Sequence, residues 1–462
     1  MPVIAPLITQ FSAKRRRLQI AWLLTTAFLF LVLSTPLNLL HGFLFAEEGT
    51  TYLRYARLAR PMQALLAPHQ QYFALFPNAL ALLVGRMLPL SWAAVCSAWL
   101  VLLVHLWLLY MVAQCERFTS GVTRILAVAA VLLAPGAAAI LVGSTQTQFV
   151  FGLLCIVVLM SHNDRLPVSR TLCVLLGGLN GVISCILTPF FLFRAWRTRS
   201  LVAWLQAAIL CVSCVVQALV LRHALPYASR GNISDHSPAV LLNVLSNHML
   251  VLPFFTRFAY HAVSLTAHAP LALFALFALL SLAGFFLLAK IIWPAGPLAR
   301  LLLLAGGFHA CCCVIGLEGQ YGDLLGAGER YFFVSNAAVA LALVLRWQQL
   351  RSTANFAGRR IVTGLLGLLL LSGLVDTVRF WRLNQSGTVW AGEVRAWRAD
   401  PTRVTLTANP AGWNVKRMYL TQTPKRLDIP FYTFDSNTRS DVLKALPQRL
   451  FGPDPEGNQG RP

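Results

Sequence analysis

The sequence predicts an all-α polytopic membrane protein, and three observations carry that prediction. Of 462 residues, 57% are hydrophobic and only 12% are charged, with a mean hydropathy of +0.65. A soluble domain is usually about 25% charged. The apolar residues come in runs of roughly 18 or more, the length that crosses about 30 Å of hydrocarbon as a helix. A transmembrane barrel would instead show short alternating segments. Roughly nine to thirteen spans are expected, depending on how the broken stretches are counted.

The chain opens on Lys14-Arg15-Arg16-Arg17 ahead of the apolar run 18–40. The run is too long for a signal-peptide core, and no small-x-small cleavage site follows it. An uncleaved first helix with a cytoplasmic N-terminus is the reading. A first outer loop, 41–71, comes next and holds Phe45-Ala46-Glu47-Glu48-Gly49. From Thr50 to Pro68 a surface helix is expected. Arg54, Arg57 and Arg60 recur every third position, Leu53, Ala56, Ala59, Met62, Leu65 and Leu66 offer lipid-compatible surface, and Pro61 kinks or ends the first part.

Further spans are expected at 89–113, 122–142, 145–161, 201–221, 268–289, 298–317, 331–347 and 361–380. Tyr72–Leu88 is apolar but short, interrupted by Pro77 and Arg86. Thr171–Arg194, with Gly177-Gly178, Gly181 and Pro189, reads as two half-helices. Ala239–Thr266 mixes Asn243, Asn247, His248, Pro253 and Arg257 into apolar sequence, as a re-entrant or interfacial piece would. Broken helices of this kind occur where backbone lines a cavity. The stretch Arg346–Arg360 carries four arginines and no acid, so it is assigned to the cytoplasm. Helix 361–380 then exits, placing residues 381–462 and the loop Glu318–Arg330 on the same outer side as Glu47-Glu48. The tail is polar, with strand-like alternation in Arg403–Thr407, turn signals at Asn409-Pro410 and Ala411-Gly412, and a Gly/Pro-rich, disordered end expected beyond Phe451.

Net charge is +22, which in a soluble protein would point to nucleic acid. Here the excess sits in short loops beside spans, as at Arg194–Arg199, where it sets orientation and meets anionic lipid heads. A nucleic-acid partner is therefore not expected. The ten cysteines lie in or beside apolar runs and have no zinc-type spacing, so they read as small packing residues.

Chemistry is expected first at Glu47-Glu48, in a chain with only 16 acids against 38 basic residues. Adjacent carboxylates repel, so one pKa should rise unless a cation sits nearby. Either outcome suits a general base or a ligand for a divalent ion, Mg2+ or Mn2+; a hydrated anchor for the first helix is the plain alternative. The second place is the loop from Glu318 through Asp323 to Glu329-Arg330-Tyr331. Its glycines allow close approach of a ligand, and Arg330 has the fork to clamp a phosphate. Arg330-Tyr331 begins a span on the outer side, against the positive-inside trend. Weaker candidates are Arg222-His223, Arg230, Asp235, His236 and His248, and the hydroxyl- and amide-bearing Thr145-Gln146-Thr147-Gln148.

One helix, an outer loop with paired acids, a surface helix and then more spans resembles the GT-C glycosyltransferases of membranes. Phe45-Ala46-Glu47-Glu48-Gly49 followed by Tyr72-Phe73-Ala74-Leu75-Phe76-Pro77-Asn78 is similar to an uncharacterised bacterial GT-C-like group with an acidic pair plus Gly, then an aromatic-rich Pro segment. That pair is commonly Glu-Asp, and here Glu48 takes the Asp position. Arg330-Tyr331-Phe332 matches an Arg-Tyr-aromatic element of the same group, and Trp390 to Trp413 resembles its short outer tail.

The resemblance implies sugar transfer from a polyprenyl-phosphate carrier to a glycan, lipid or protein acceptor, on the outer face of a bacterial inner membrane. Glu48 and Glu47 would be catalytic, and Arg330, Tyr331, Arg54, Asp323 and Glu318 would hold substrate. A transporter or flippase for a lipid-linked or polar solute is the main rival, and a non-catalytic assembly factor the third reading.

Overall fold

The computed structural model describes residues 4–45, 47–69, 72–141, 143–161, 167–224, 238–255, 271–316, 328–384, 388–400, 402–403, 405–408 and 414–416. Among these, seven helices are long and apolar enough to cross a membrane: Lys14–Ser34, Leu90–Gln114, Leu201–Arg222, Ala275–Ala295, Pro297–Ile315, Gly328–Arg351 and Phe356–Trp381. Leu75–Met87, Gly121–Leu132, Ser144–Met160 and Leu241–Phe255 are shorter apolar helices. The all-α polytopic class therefore holds.

Several boundaries differ from the sequence expectation. The run 18–40 is two helices, Ile4–Ser34 and Pro36–His41. Pro36 has no N–H to continue the first, and the Ser34 and Thr35 hydroxyls turn back onto the Phe30 and Leu31 carbonyls. The run 122–142 is likewise not one helix. Gly121–Leu132 stops short of Pro135-Gly136, and only Ala137–Ile140 resumes. Thr171–Arg194 does split in two, as Pro167–Gly178 and Thr188–Thr198. The last long helix runs past 380 to Asn384.

Cross-contacts sort the loops into two ends. At one, Arg16 donates to the Gln114 carbonyl and Arg117 to that of Met160. There too Gln348 bridges Arg117 and Thr119, Arg194 donates to Val158, and Gln349 to Pro294. At the other, Trp390 N–H donates to the Gly42 carbonyl and its indole to Leu90, while Ser144 N–H donates to Glu48. The basic clusters thus gather opposite the acidic pair. Pro167–Gly178 and Thr188–Thr198 form a hairpin that enters and leaves on the basic side. At its turn, Asn180 donates to the Thr147 hydroxyl and accepts from Phe76 N–H.

Thr147–Met160 is the central helix. All fourteen of its residues are buried, as a helix apolar on every side requires. At 1.5 Å per residue it is about 21 Å long, shorter than the roughly 30 Å of hydrocarbon a spanning helix crosses. The loop that follows the first helices meets its start, where Glu48 accepts Ser144 N–H. Leu75–Met87 meets this same end at both of its own ends. Ala74 bridges Asn180 at its start, and at its finish Arg57 donates to the Gly85 carbonyl while Arg86 donates to the carbonyls of Ala56 and Ala59.

The surface-helix expectation is corrected here in its facing. The segment is a π-helical turn Glu48–Leu53, a helix Arg54–Leu58 and, after a break ahead of Pro61, a helix Pro61–Leu66. Leu53, Ala56 and Ala59 are buried against protein rather than lipid, and Arg57 is an internal strut. Met62 and Leu66 remain exposed, as expected. Of the tail, Trp390–Ala399 is a helix whose Trp390 is buried beside Leu90. Thr405–Thr407 pairs antiparallel with Asn414–Lys416, matching the alternation and turn signals. The Phe451–Pro462 end lies outside the described residues.

Candidate functional site

The two neighbouring acids have parted roles. Glu48 is 5% exposed. One of its oxygens accepts Phe45 N–H at 2.9 Å, and the other accepts Ser144 N–H. The carboxylate thus sits at the start of the Ser144–Gln146 turn that leads into the central helix, where unpaired N–H groups favour negative charge. Its pKa is raised above the ordinary carboxylate value. Burial is the main cause, hydrogen bonds from Ser144 and Phe45 oppose it, and the charge of Glu47 adds least. Repulsion between the pair, the cause expected from sequence, is therefore secondary.

Glu47 is half-buried. Its charge is felt by Tyr52, Tyr72 and Arg330. Arg330, also half-buried, lies with its guanidinium 5.2 Å from the centre of the Tyr331 ring. Tyr331 in turn packs edge-on against Phe149 at 5.4 Å. Two segments 283 positions apart in sequence therefore come within electrostatic reach of one another, a carboxylate on one and a guanidinium on the other. Gly136 makes this possible. Its φ of +87° suits glycine, and any Cβ there would strike the Glu329 carbonyl that leads into Arg330.

Tyr72 forms the third side. Gln148 donates from its amide to the Tyr72 hydroxyl at 3.3 Å. Burial pushes its hydroxyl pKa up, with the Tyr331 and Glu47 charges adding and Arg330 opposing. The strand Tyr72–Phe73 is held from beneath by Gln217, a buried helical side chain. Gln217 accepts Phe73 N–H and donates to the Phe73 carbonyl, both at 2.9 Å. Opposite Tyr72 in the hairpin, His69 is wedged between the rings of Tyr52 (4.6 Å) and Tyr55 (5.2 Å). Burial lowers its pKa to about 3, so the imidazole is neutral.

Of the residues expected from sequence, Glu47, Arg330 and Tyr331 converge. Glu48 lies beside them but faces inward. Arg54 is half-buried on the helix that follows the pair. Glu318 and Asp323 lie outside the described residues, as do Arg230, Asp235 and His236. His248 is not a solvated loop group: it is fully buried and stacked on Phe332 at 4.3 Å. Among the described residues no three His, Cys, Asp or Glu side chains converge as metal ligands. Thr145–Gln148, of unassigned sidedness from sequence, belongs to the site end. Tyr52 and His69 were not singled out from sequence; a lone aromatic or histidine in an apolar loop carries no spacing signal.

No family model matches this chain, and neither curated proteins nor solved structures show a detectable similarity to it.

Proposed function

We propose that this chain is a membrane glycosyltransferase of GT-C type. It would move a sugar from a polyprenyl-phosphate carrier to a cell-envelope glycan, lipid or protein acceptor on the outer face of a bacterial inner membrane. The observation that carries the reading is the meeting of Glu47 with Arg330-Tyr331 beneath a helical first outer loop. The basic clusters at the opposite end support a cytoplasmic N-terminus and an outward-facing site.

In this reading Glu47, not the buried Glu48, is the base. An acceptor hydroxyl gives its proton to the Glu47 carboxylate as its oxygen attacks the anomeric carbon. The bond from that carbon to the carrier phosphate breaks, and the electron pair leaves on the phosphate. Arg330 stabilises the charge that gathers there. A single displacement inverts the anomeric centre. Tyr331 and Tyr72 offer ring faces and hydroxyls for a sugar. Arg54, Glu318 and Asp323 are kept as substrate-binding proposals, and a divalent cation is tested by chelation. The deciding assay supplies a radiolabelled polyprenyl-phosphate sugar to membranes carrying the protein. Transfer that is lost in Glu47→Gln supports the reading; transfer unaltered in that variant removes it.

One observation favours the transporter alternative. Glu329 and Asp376 are buried at 2% and 3% exposure near the site ends of two candidate spans, and ionisable groups enclosed among spans often mark solute or proton paths. Movement of an intact lipid-linked sugar without covalent transfer would favour it.

A further inference from the structure

The basic end contains a cation that has no counter-ion among the described residues. Arg124, in the first turns of Gly121–Leu132, is 9% exposed, and its Nε has no hydrogen-bond partner. The charged side chain that faces it is another arginine, Arg16, with the Cys115 thiol alongside. Arg16 spends one nitrogen on the Gln114 carbonyl, and its own Nε is also buried without a partner. The nearby acid Glu116 is taken by Arg170. Two guanidinium groups held together in a partly dry site repel, and no carboxylate pairs with either of them among the described residues.

The backbone adds to the same field. Ser120 caps Gly121–Leu132 by accepting Thr123 N–H at 3.2 Å, which leaves the Gly121 and Val122 amides unpaired within the helix, beside the exposed Gln19 side chain. Arg124 stands in the first turn of this helix, whose side chains lean toward its N-terminus. Around this point the surface is apolar: Leu18, Trp22, Val122 and Ile125 are all exposed.

We propose that Arg16, Arg124 and the start of Gly121–Leu132 bind the phosphate of an anionic lipid headgroup. The acyl chains would lie over Leu18, Trp22, Val122 and Ile125. The two guanidinium groups and the helix amides present donors to the phosphate oxygens, and its negative charge relieves their repulsion. This site lies across the bundle from Glu47 and does not depend on the transferase reading.

The test uses the full chain in phosphatidylcholine nanodiscs, with and without phosphatidylglycerol, read by thermal unfolding and by native mass spectrometry of retained lipid. Phosphatidylglycerol should raise the unfolding midpoint of the wild type and of Arg15→Gln, an exposed control. It should leave Arg124→Gln and Arg16→Gln unmoved, with lipid retention weakened about tenfold. Arg16 is only half-buried, so its variant tests the site if Arg124→Gln does not fold. Equal stabilisation of all four proteins overturns the proposal. Inorganic phosphate stabilising the wild type in phosphatidylcholine alone, with no added effect of phosphatidylglycerol, overturns the lipid assignment.

Discussion

The Glu48 carboxylate accepts the backbone N–H of Ser144, 96 residues further along the chain. That contact joins the first loop to the start of the central helix and commits Glu48, but not Glu47, to the backbone. The two acids should therefore fail differently. Glu48→Ala strands the buried Ser144 N–H, worth about 1–3 kcal/mol when left unsatisfied, and the half-buried Phe45 N–H, so the variant should unfold at lower temperature. Glu47→Gln should keep the wild-type unfolding midpoint and lose transfer by about 10²–10⁴-fold. A stable, active Glu48→Ala would show that the Ser144 contact contributes nothing.

Arg330 offers a sharper test of substrate binding. Arg330→Lys keeps the charge but loses the planar fork and its stacking over Tyr331. Donor KM should rise about tenfold, with kcat changed less, while Arg330→Gln should depress both. Equal kinetics for the lysine variant would remove the clamp. EDTA applied to the same assay decides the cation: activity lost and then restored by Mg2+ or Mn2+ requires one.

Much of this arrangement was legible in the sequence, because hydrophobic length and arginine placement obey simple rules. Seven of the nine expected spans, the opposed basic and acidic ends and the hairpin at Pro167–Thr198 follow from them, while 122–142 breaks before Pro135 and 145–161 is a short buried helix. What stayed hidden depends on side chains acting at a distance. Gln217 serves as a strand partner for Phe73, and the Arg57 and Arg86 guanidinium groups serve as struts to carbonyls. Periodicity reads an arginine stripe as a wet face; here part of it satisfies backbone within the loop. The division of labour in Glu47-Glu48 was hidden for the same reason, since it turns on the Ser144 amide.

Gly136 should be intolerant of any side chain. Its left-handed backbone and the Glu329 carbonyl against it oppose a Cβ together. Gly136→Ala should cost more than about 1 kcal/mol and, by displacing Glu329-Arg330, reduce transfer. Gly307 is the control: it is helical and a Cβ there meets nothing within 4 Å. Gly307→Ala should be neutral or stabilising by up to about 1 kcal/mol. Unfolding midpoints and transfer rates of the two variants make the comparison.

His69 predicts a pH dependence of known sign. Its pKa falls from the ordinary 6.5 in the unfolded chain to about 3 in the fold, because burial disfavours the imidazolium. Between those values the unfolded chain binds the extra proton, so stability is full above about pH 6.5 and falls as the pH drops toward 3. By about pH 5 the loss is on the order of 2 kcal/mol. Glu48, with its raised pKa, acts in the opposite sense: its contribution is full below the unfolded value and is lost as pH rises. That term is common to wild type and His69→Phe and cancels in their difference. His69→Phe keeps the ring packing against Tyr52 and Tyr55 and removes the titration. The wild type should therefore lose more thermal stability than His69→Phe on acidification from neutral to about pH 5, and parallel curves would mean that the imidazole is hydrated in the native loop.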